Sequence, residues 1–225
     1  MTQEVIQVTS IEGLGENIEQ KMCGDVRTKS FQAIQNIFAG LKLGMSEAEA
    51  IRMANSLLAS MGVKRFWHRT HVRFGASTAL SFDDPYIEGV RLNKNDMVSI
   101  DIGPVWDGIE GDAGSSFVFG VDDKKQKLID ATKNVFDELV LQWRHQGLSG
   151  KKLMTLADEL AKEKGYLLAP AYVKGHRLAE FPHAFYSKHS LYDLDKCPQA
   201  KRWVLEVQLC EPQMSYGAFY EDILQ

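Results

Sequence analysis

The chain has 225 residues, which at about 150 residues per domain is one large domain, or one with an appendage, rather than two. Apolar residues make up 44% and charged residues 25%, a globular balance that argues against disorder, a fibrous repeat or a membrane-embedded chain. Twenty-six basic against 30 acidic residues leave a net charge of −4 without a basic stripe, so nucleic acid is not an expected partner.

A chain of this size buries roughly 70% of its unfolded surface and needs no metal merely to hold a core. Cys23, Cys197 and Cys210 are odd in number and far apart, the pattern of free thiols in a reducing compartment. The start of the chain has no basic, apolar leader, and no segment has the roughly 18 apolar residues of a bilayer span. A cytoplasmic protein is expected.

In chain order, Ile18, Met22, Val26, Phe31, Ile34, Ile37, Phe38 and Leu41 recur near helical spacing from Glu16 to Leu41, with an untidy stretch around Gly24. Ser46 and Glu49 form a capping-box pattern ahead of Ile51, Ala54, Leu57, Leu58 and Met61, and Gly62 closes that second helix. Arg65 to Phe74 reads as a strand. So does Met97 to Trp106, where Val98, Ile100 and Ile102 alternate with Ser99, Asp101 and Gly103, which sets Asp101 opposite the aliphatic face. Ser115 to Val121 is a further strand, and Lys124 to His145 and Leu153 to Lys164 are further helices.

The stretch from Gly44 to Val63 lies over that from Gly147 to Tyr166 at a fixed offset of 103 residues, with Gly44/Gly147, Ser46/Ser149, Ala54/Ala157, Leu57/Leu160 and Gly62/Gly165 identical. Capped helices ending in glycine resemble one another by chance. The alternative is an internal duplication: two α+β halves related by a pseudo-two-fold, sharing one core, with a site where their sheets meet.

Asp101, Asp112, His176, Glu206 and Glu221 follow one another along the chain. Singly each has an ordinary reading, as turn residue, exposed strand position or surface histidine. Asp101, Glu206 and Glu221 nevertheless stand among aliphatic and aromatic residues in short strands, where an unpaired carboxylate costs several kcal/mol or is driven neutral. Carboxylates converging in a sheet need a cation. Four of them with one imidazole suit one or two divalent ions such as Mn²⁺ or Fe²⁺, with Zn²⁺ or Co²⁺ as substitutes.

The same series resembles the pita-bread metallopeptidase family, which includes methionine aminopeptidase, aminopeptidase P, prolidase and the metal-free creatinase. RLNKNDMVSIDIGPVWDGIEGDAGSSF looks like the family's first two ligand strands, with aspartates 101 and 112 eleven positions apart; GHRLAEFPH resembles its histidine segment, and Glu206 and Glu221 its closing glutamates. The resemblance runs from about Gly75 to the C-terminus. It implies an α+β pita-bread fold, two pseudo-symmetric halves around a curved antiparallel sheet, and a single catalytic domain over 1–225 without a separate N-terminal domain. It also implies a metal-dependent hydrolase cleaving a peptide or amide C–N bond. Asp112 and Glu221 would bridge two metal ions (Mn, Fe, Co or Zn), Asp101 would complete the first, and His176 with Glu206 the second. Glu206 would shuttle a proton, and His183 would orient the substrate or stabilise the oxyanion. The implied substrate is a small peptide or small amide-containing molecule. Nucleic acid and membrane partners are not implied, and a homodimer is compatible.

The departures cluster on the substrate side. Where family peptidases carry a histidine before the first ligand strand, FGASTALSFDDP offers Phe82, leaving His68 or His71 as substitutes. Arg177 and Ala179 stand for the usual glycines after the ligand histidine, and Ala113, Gly114, Ser115 and Ser116 for a Thr-rich run. Two other readings stay open: an Fe or Mn enzyme acting on a small metabolite, and a catalytically inactive binding module of the same fold.

Overall fold

The computed structural model describes residues 22–169, 175–178, 181–182 and 189–225. A π-helical turn over Met22–Val26 runs into helix α1, Arg27–Gly40. The irregular apolar spacing near Gly24 is this wide turn, and 16–21 of the expected helix lie outside the described residues. Helix α2, Glu47–Ser60, starts on the capping box read from the sequence, with Ser46 accepting from the Glu49 amide and the Glu49 carboxylate accepting from the Ser46 amide.

Two expected strands are each broken in two. Arg65 to Phe74 is β1 (Arg65–Phe66) and β2 (His71–Phe74); Met97 to Trp106 is β3 (Asp96–Ile102) and β4 (Pro104–Trp106). Both breaks have one cause. The His68 ring lies on Gly103, where an added Cβ would stand 2.1 Å from it. On one side of this contact β1 and β4 join β5, Ile109–Glu110, in a small sheet; on the other, β2 and β3 enter the main sheet. Alternation alone cannot show where a continuous apolar pattern changes sheets.

The main sheet adds β6 (Ala113–Phe119), β7 (Leu167–Leu168), β8 (Val204–Cys210) and β9 (Gly217–Ile223), in the order β2-β3-β6-β9-β8-β7 with every pair antiparallel. Helices α3, Asp123–Gln146, and α4, Gly150–Glu163, lie between β6 and β7. The strand order reads the same from either edge: α2 leads into β2, β3 and β6, and α4 into β7, β8 and β9. The helical repeat at offset 103 is therefore one part of two pseudo-symmetric halves that meet between β6 and β9. Its glycines match in conformation as well, Gly62 at φ 101° and Gly165 at φ 77°, where a side chain would be strained.

The Ser149 hydroxyl accepts the Lys152 amide at the start of α4. Ser149→Ala should therefore lower stability by about 1 kcal/mol, read as a shifted urea midpoint; an unchanged midpoint would show that the cap contributes nothing.

Helices α1 and α2 pack Ile34, Ile37 and Leu58 with Val72, Val98 and Ile100, while α3 and α4 pack Leu128, Leu139 and Leu153 with Leu205, Val207 and Leu209. Because side chains alternate along a strand, the residues between them face the other way: His71, Arg73, Ser99, Asp101, Glu206 and Gln208. Among the described residues no helix is long and apolar enough to cross a membrane.

Candidate metal centre

Strand register sets five residues in one row across five strands. His71 pairs with Asp101, Asp101 with Gly114, Gly114 with Glu221, and Glu221 with Glu206. Residues directly opposite in antiparallel strands share a face, so three carboxylates converge there. Gly114 makes this convergence fit, because a Cβ on it would lie 2.2 Å from the Phe219 ring and 2.8 Å from Glu221 Oε1.

Asp112 enters from just before β6. His176 comes from a segment running beside the start of β8, where its carbonyl accepts the Val204 amide at 2.7 Å. His176 Nε2 is 2.6 Å from Asp112 Oδ2 and 3.7 Å from Glu206 Oε1. The five residues expected from the sequence to hold metal thus stand together. His183 lies outside the described residues.

Asp101 Oδ1, Asp112 Oδ2 and Glu221 Oε1 are screened from solvent and lack a well-formed hydrogen bond. Buried polar atoms in folded proteins are otherwise nearly all satisfied. Such oxygens facing imidazole nitrogens are a donor set that fits a divalent cation.

With protons as the only cations, the cluster titrates far from ordinary values. Burial raises Asp101 to about 6, partly offset by His68, and raises Glu206 to about 7, partly offset by His176. Burial and then the charges of Asp112, Asp101 and Glu206 push Glu221 well above its usual range. Asp112 goes the other way: burial works to raise it, but His176 and His68 hold it well below the carboxylate range. Burial works to lower His68, yet Asp101 and Asp112 lift it to about 9.

Glu206 and His68 therefore keep protons in the folded, metal-free chain that the unfolded chain has lost, so stability should fall as pH rises from about 6.5 to about 9. Divalent metal, which requires the deprotonated ligands, should flatten that fall. Melting curves of chelated and Mn²⁺-loaded protein over this range test it; equal slopes would mean that metal and protons do not compete here.

His68 is the residue whose placement sequence reasoning underestimated. Its Nε2 is 3.6 Å from Asp101 Oδ1 and 3.4 Å from Asp112 Oδ1. The advance signal is a histidine three residues ahead of β2, the strand that pairs with the Asp101 strand. Trp67 was missed altogether: its ring centroid lies 4.3 Å from that of His68 and 4.5 Å from that of His176, and its indole donates to the Gly111 carbonyl at 2.8 Å.

His71 and Phe82, both expected at the substrate, line one cavity with Arg73, Ser99, Gln208 and Phe219 beside Asp101 and Glu206. The Phe82 ring centroid lies 4.3 Å from that of His71, with the two rings tilted by 48°. Both nitrogens of His71 are engaged, Nε2 by Arg69 Nε at 2.9 Å and Nδ1 by the Tyr86 hydroxyl at 3.0 Å. Burial and then Arg73 and Arg69 lower it to about 3. His71 therefore offers the cavity an uncharged ring face.

The sequence matches the profile of Metallopeptidase family M24 over residues 22–222, nearly all of its length. The chain belongs to that family. It is similar to a methionine aminopeptidase of Aquifex aeolicus, 26% identical over 156 residues that cover 65% of this chain and 58% of the relative. The match thus spans under two thirds of that curated relative. Among solved structures, X-Pro aminopeptidase from Thermotoga maritima superposes with a TM-score of 0.76 at 18% identity, covering 95% of this chain and 59% of that one. Methionine aminopeptidase from Thermotoga maritima superposes at 0.72 and 13%, covering 93% of both chains. These likenesses establish the α+β pita-bread fold of this M24 chain.

Proposed function

We propose that this M24 chain works as one catalytic domain, a dinuclear metal-dependent hydrolase that cleaves a peptide or amide C–N bond in the manner of an aminopeptidase or Xaa-Pro peptidase. The observation that carries this reading is the row of carboxylates across the seam between the halves, with Asp112 and His176 closing on it. Asp112 and Glu221 would bridge two divalent ions (Mn, Fe, Co or Zn), Asp101 would hold one, and His176 with Glu206 the other. Such ions supply a Lewis acid for the scissile carbonyl and a water activated near neutral pH.

The chain's own residues do the rest. Glu206, which lines the cavity with Asp101, receives a proton from the attacking water and hands it to the leaving amine. His183 orients the carbonyl or stabilises its developing negative charge. Phe82 and the ring face of His71 present an apolar wall to the substrate, a small peptide or small amide-containing molecule. The same wall favours one second reading, because it replaces a polar substrate contact: an Fe or Mn enzyme acting on a small metabolite.

Hydrolysis of short peptides with N-terminal Met or Xaa-Pro by protein loaded with Mn²⁺, Fe²⁺, Co²⁺ or Zn²⁺ tests the proposal. It expects turnover that a chelator abolishes and that falls about 10²-fold in His183→Ala. Metal uptake without hydrolysis of any amide, together with consumption of a metabolite only in air, would replace it with the second reading.

A further inference from the structure

Resting on the dinuclear reading, we infer that His68 is a sixth protein ligand, binding through Nε2 the ion held by Asp101 and Asp112. The distances suit coordination better than a hydrogen bond. Nε2 makes a long hydrogen bond of 3.4 Å to Asp112 Oδ1 and lies 3.6 Å from Asp101 Oδ1, both outside the roughly 2.7–3.2 Å of a well-formed N–H···O bond. Two donors bound to one ion at about 2.0–2.2 Å stand about 3.4 Å apart at tetrahedral angles. The three donor atoms lie within 4.8 Å of one another.

The ring is also oriented for a metal. Its Nδ1 is 2.8 Å from the Arg69 carbonyl oxygen, which can only accept, so Nδ1 carries the hydrogen. A cation that displaces the second proton of the ring meets the Nε2 lone pair turned toward Asp101 and Asp112. A carbonyl partner fixing the tautomer is the usual support of a ligating histidine. Gly103 under the ring admits no Cβ, and Trp67 packs edge-on against it. The position is therefore built, at the cost of breaking two strands.

Asp101 Oδ1, which faces Nε2, is buried without a hydrogen-bond partner, so the carboxylate side of this triad also calls for a cation. The consequence is chemical. With His68 on one ion and His176 on the other, each has a nitrogen donor, and occupancy should favour Fe²⁺, Co²⁺ or Zn²⁺ over Mn²⁺.

The test uses the full chain loaded with Co²⁺ alone, whose bound imidazoles give exchangeable N–H proton resonances shifted far downfield. Wild type is expected to show two. His68→Gln should lose one and bind its first-site Co²⁺ at least tenfold more weakly, His176→Gln should lose the other, and His183→Gln should keep both. If His68→Gln does not fold, the wild-type count decides: two resonances retained in His183→Gln support the ligand, and one overturns it. Two resonances and unaltered Co²⁺ affinity in a folded His68→Gln would also overturn it while leaving the dinuclear reading intact. No Co²⁺ uptake by wild type would instead end the dinuclear reading, and the sixth ligand with it.

Discussion

Asp112→Ala should leave the protein unable to retain either ion. Asp112 is the carboxylate closest to both imidazoles, 2.6 Å from His176 and 3.4 Å from His68. It also stays ionised while Asp101, Glu206 and Glu221 are driven toward the neutral acid. An ionised carboxylate between two imidazoles needs no deprotonation and is the natural entry point for a cation. Elemental analysis of wild type purified without chelator should give one to two divalent ions per chain, and the variant none. At free metal about 100 times Kd, wild type should gain about 2.7 kcal/mol, or roughly 5–10 °C in melting temperature. Asp112→Asn, which keeps the volume, should gain nothing. Metal content unchanged in either variant would remove Asp112 from the site and the dinuclear proposal with it.

The second large effect belongs to the C-terminal strand. The β6–β9 ladder consists of Gly114 opposite Glu221 and Ser115 opposite Tyr220, so two residues of β9 close the main seam between the halves. Beyond them, Asp222 takes two hydrogen bonds from Arg27, and the Leu224 amide and carbonyl pair with Trp203 and Lys201. Deleting Tyr220 to Gln225 removes all of these together with one carboxylate of the site. Metal binding should be abolished and the melting temperature lowered by more than the metal contribution alone. Glu221→Gln separates the two effects, because it keeps the ladder: it should lose metal and melt close to metal-free wild type. If the truncated chain still gains stability from Mn²⁺ as wild type does, Glu221 is not a ligand.

Features encoded over a few residues could be read directly from the chain. The box at Ser46 and Glu49, the cap at Ser149 and the closing glycines at 62 and 165 are local, and so is the alternation that puts Asp101 opposite Val98 and Ile100. The order of the carboxylates was legible because their spacing resembles a family, and the offset of 103 because duplication leaves identical residues at equal intervals. The strand breaks were not legible. They arise where His68 meets Gly103, residues 35 apart in sequence, and no periodicity records a side chain lying on a distant glycine. For the same reason His68 read as a substitute substrate contact rather than a neighbour of the carboxylates, and Trp67, which touches both imidazoles, as one aromatic of an expected strand.

The row from His71 to Glu206 has a consequence for how folded material should be counted. Side chains on a strand change faces with every residue, so a slip of one position in β3 or β8 would turn that strand's carboxylate onto the helix-covered side and an aliphatic residue into the cleft. A slipped molecule would keep nearly all its secondary structure and give an almost unchanged circular dichroism spectrum. It would have no place for a cation. The difference between protein scored as folded by dichroism and protein that titrates with metal therefore measures the mispaired fraction in a refolded preparation, a population invisible to methods that see only helix and strand.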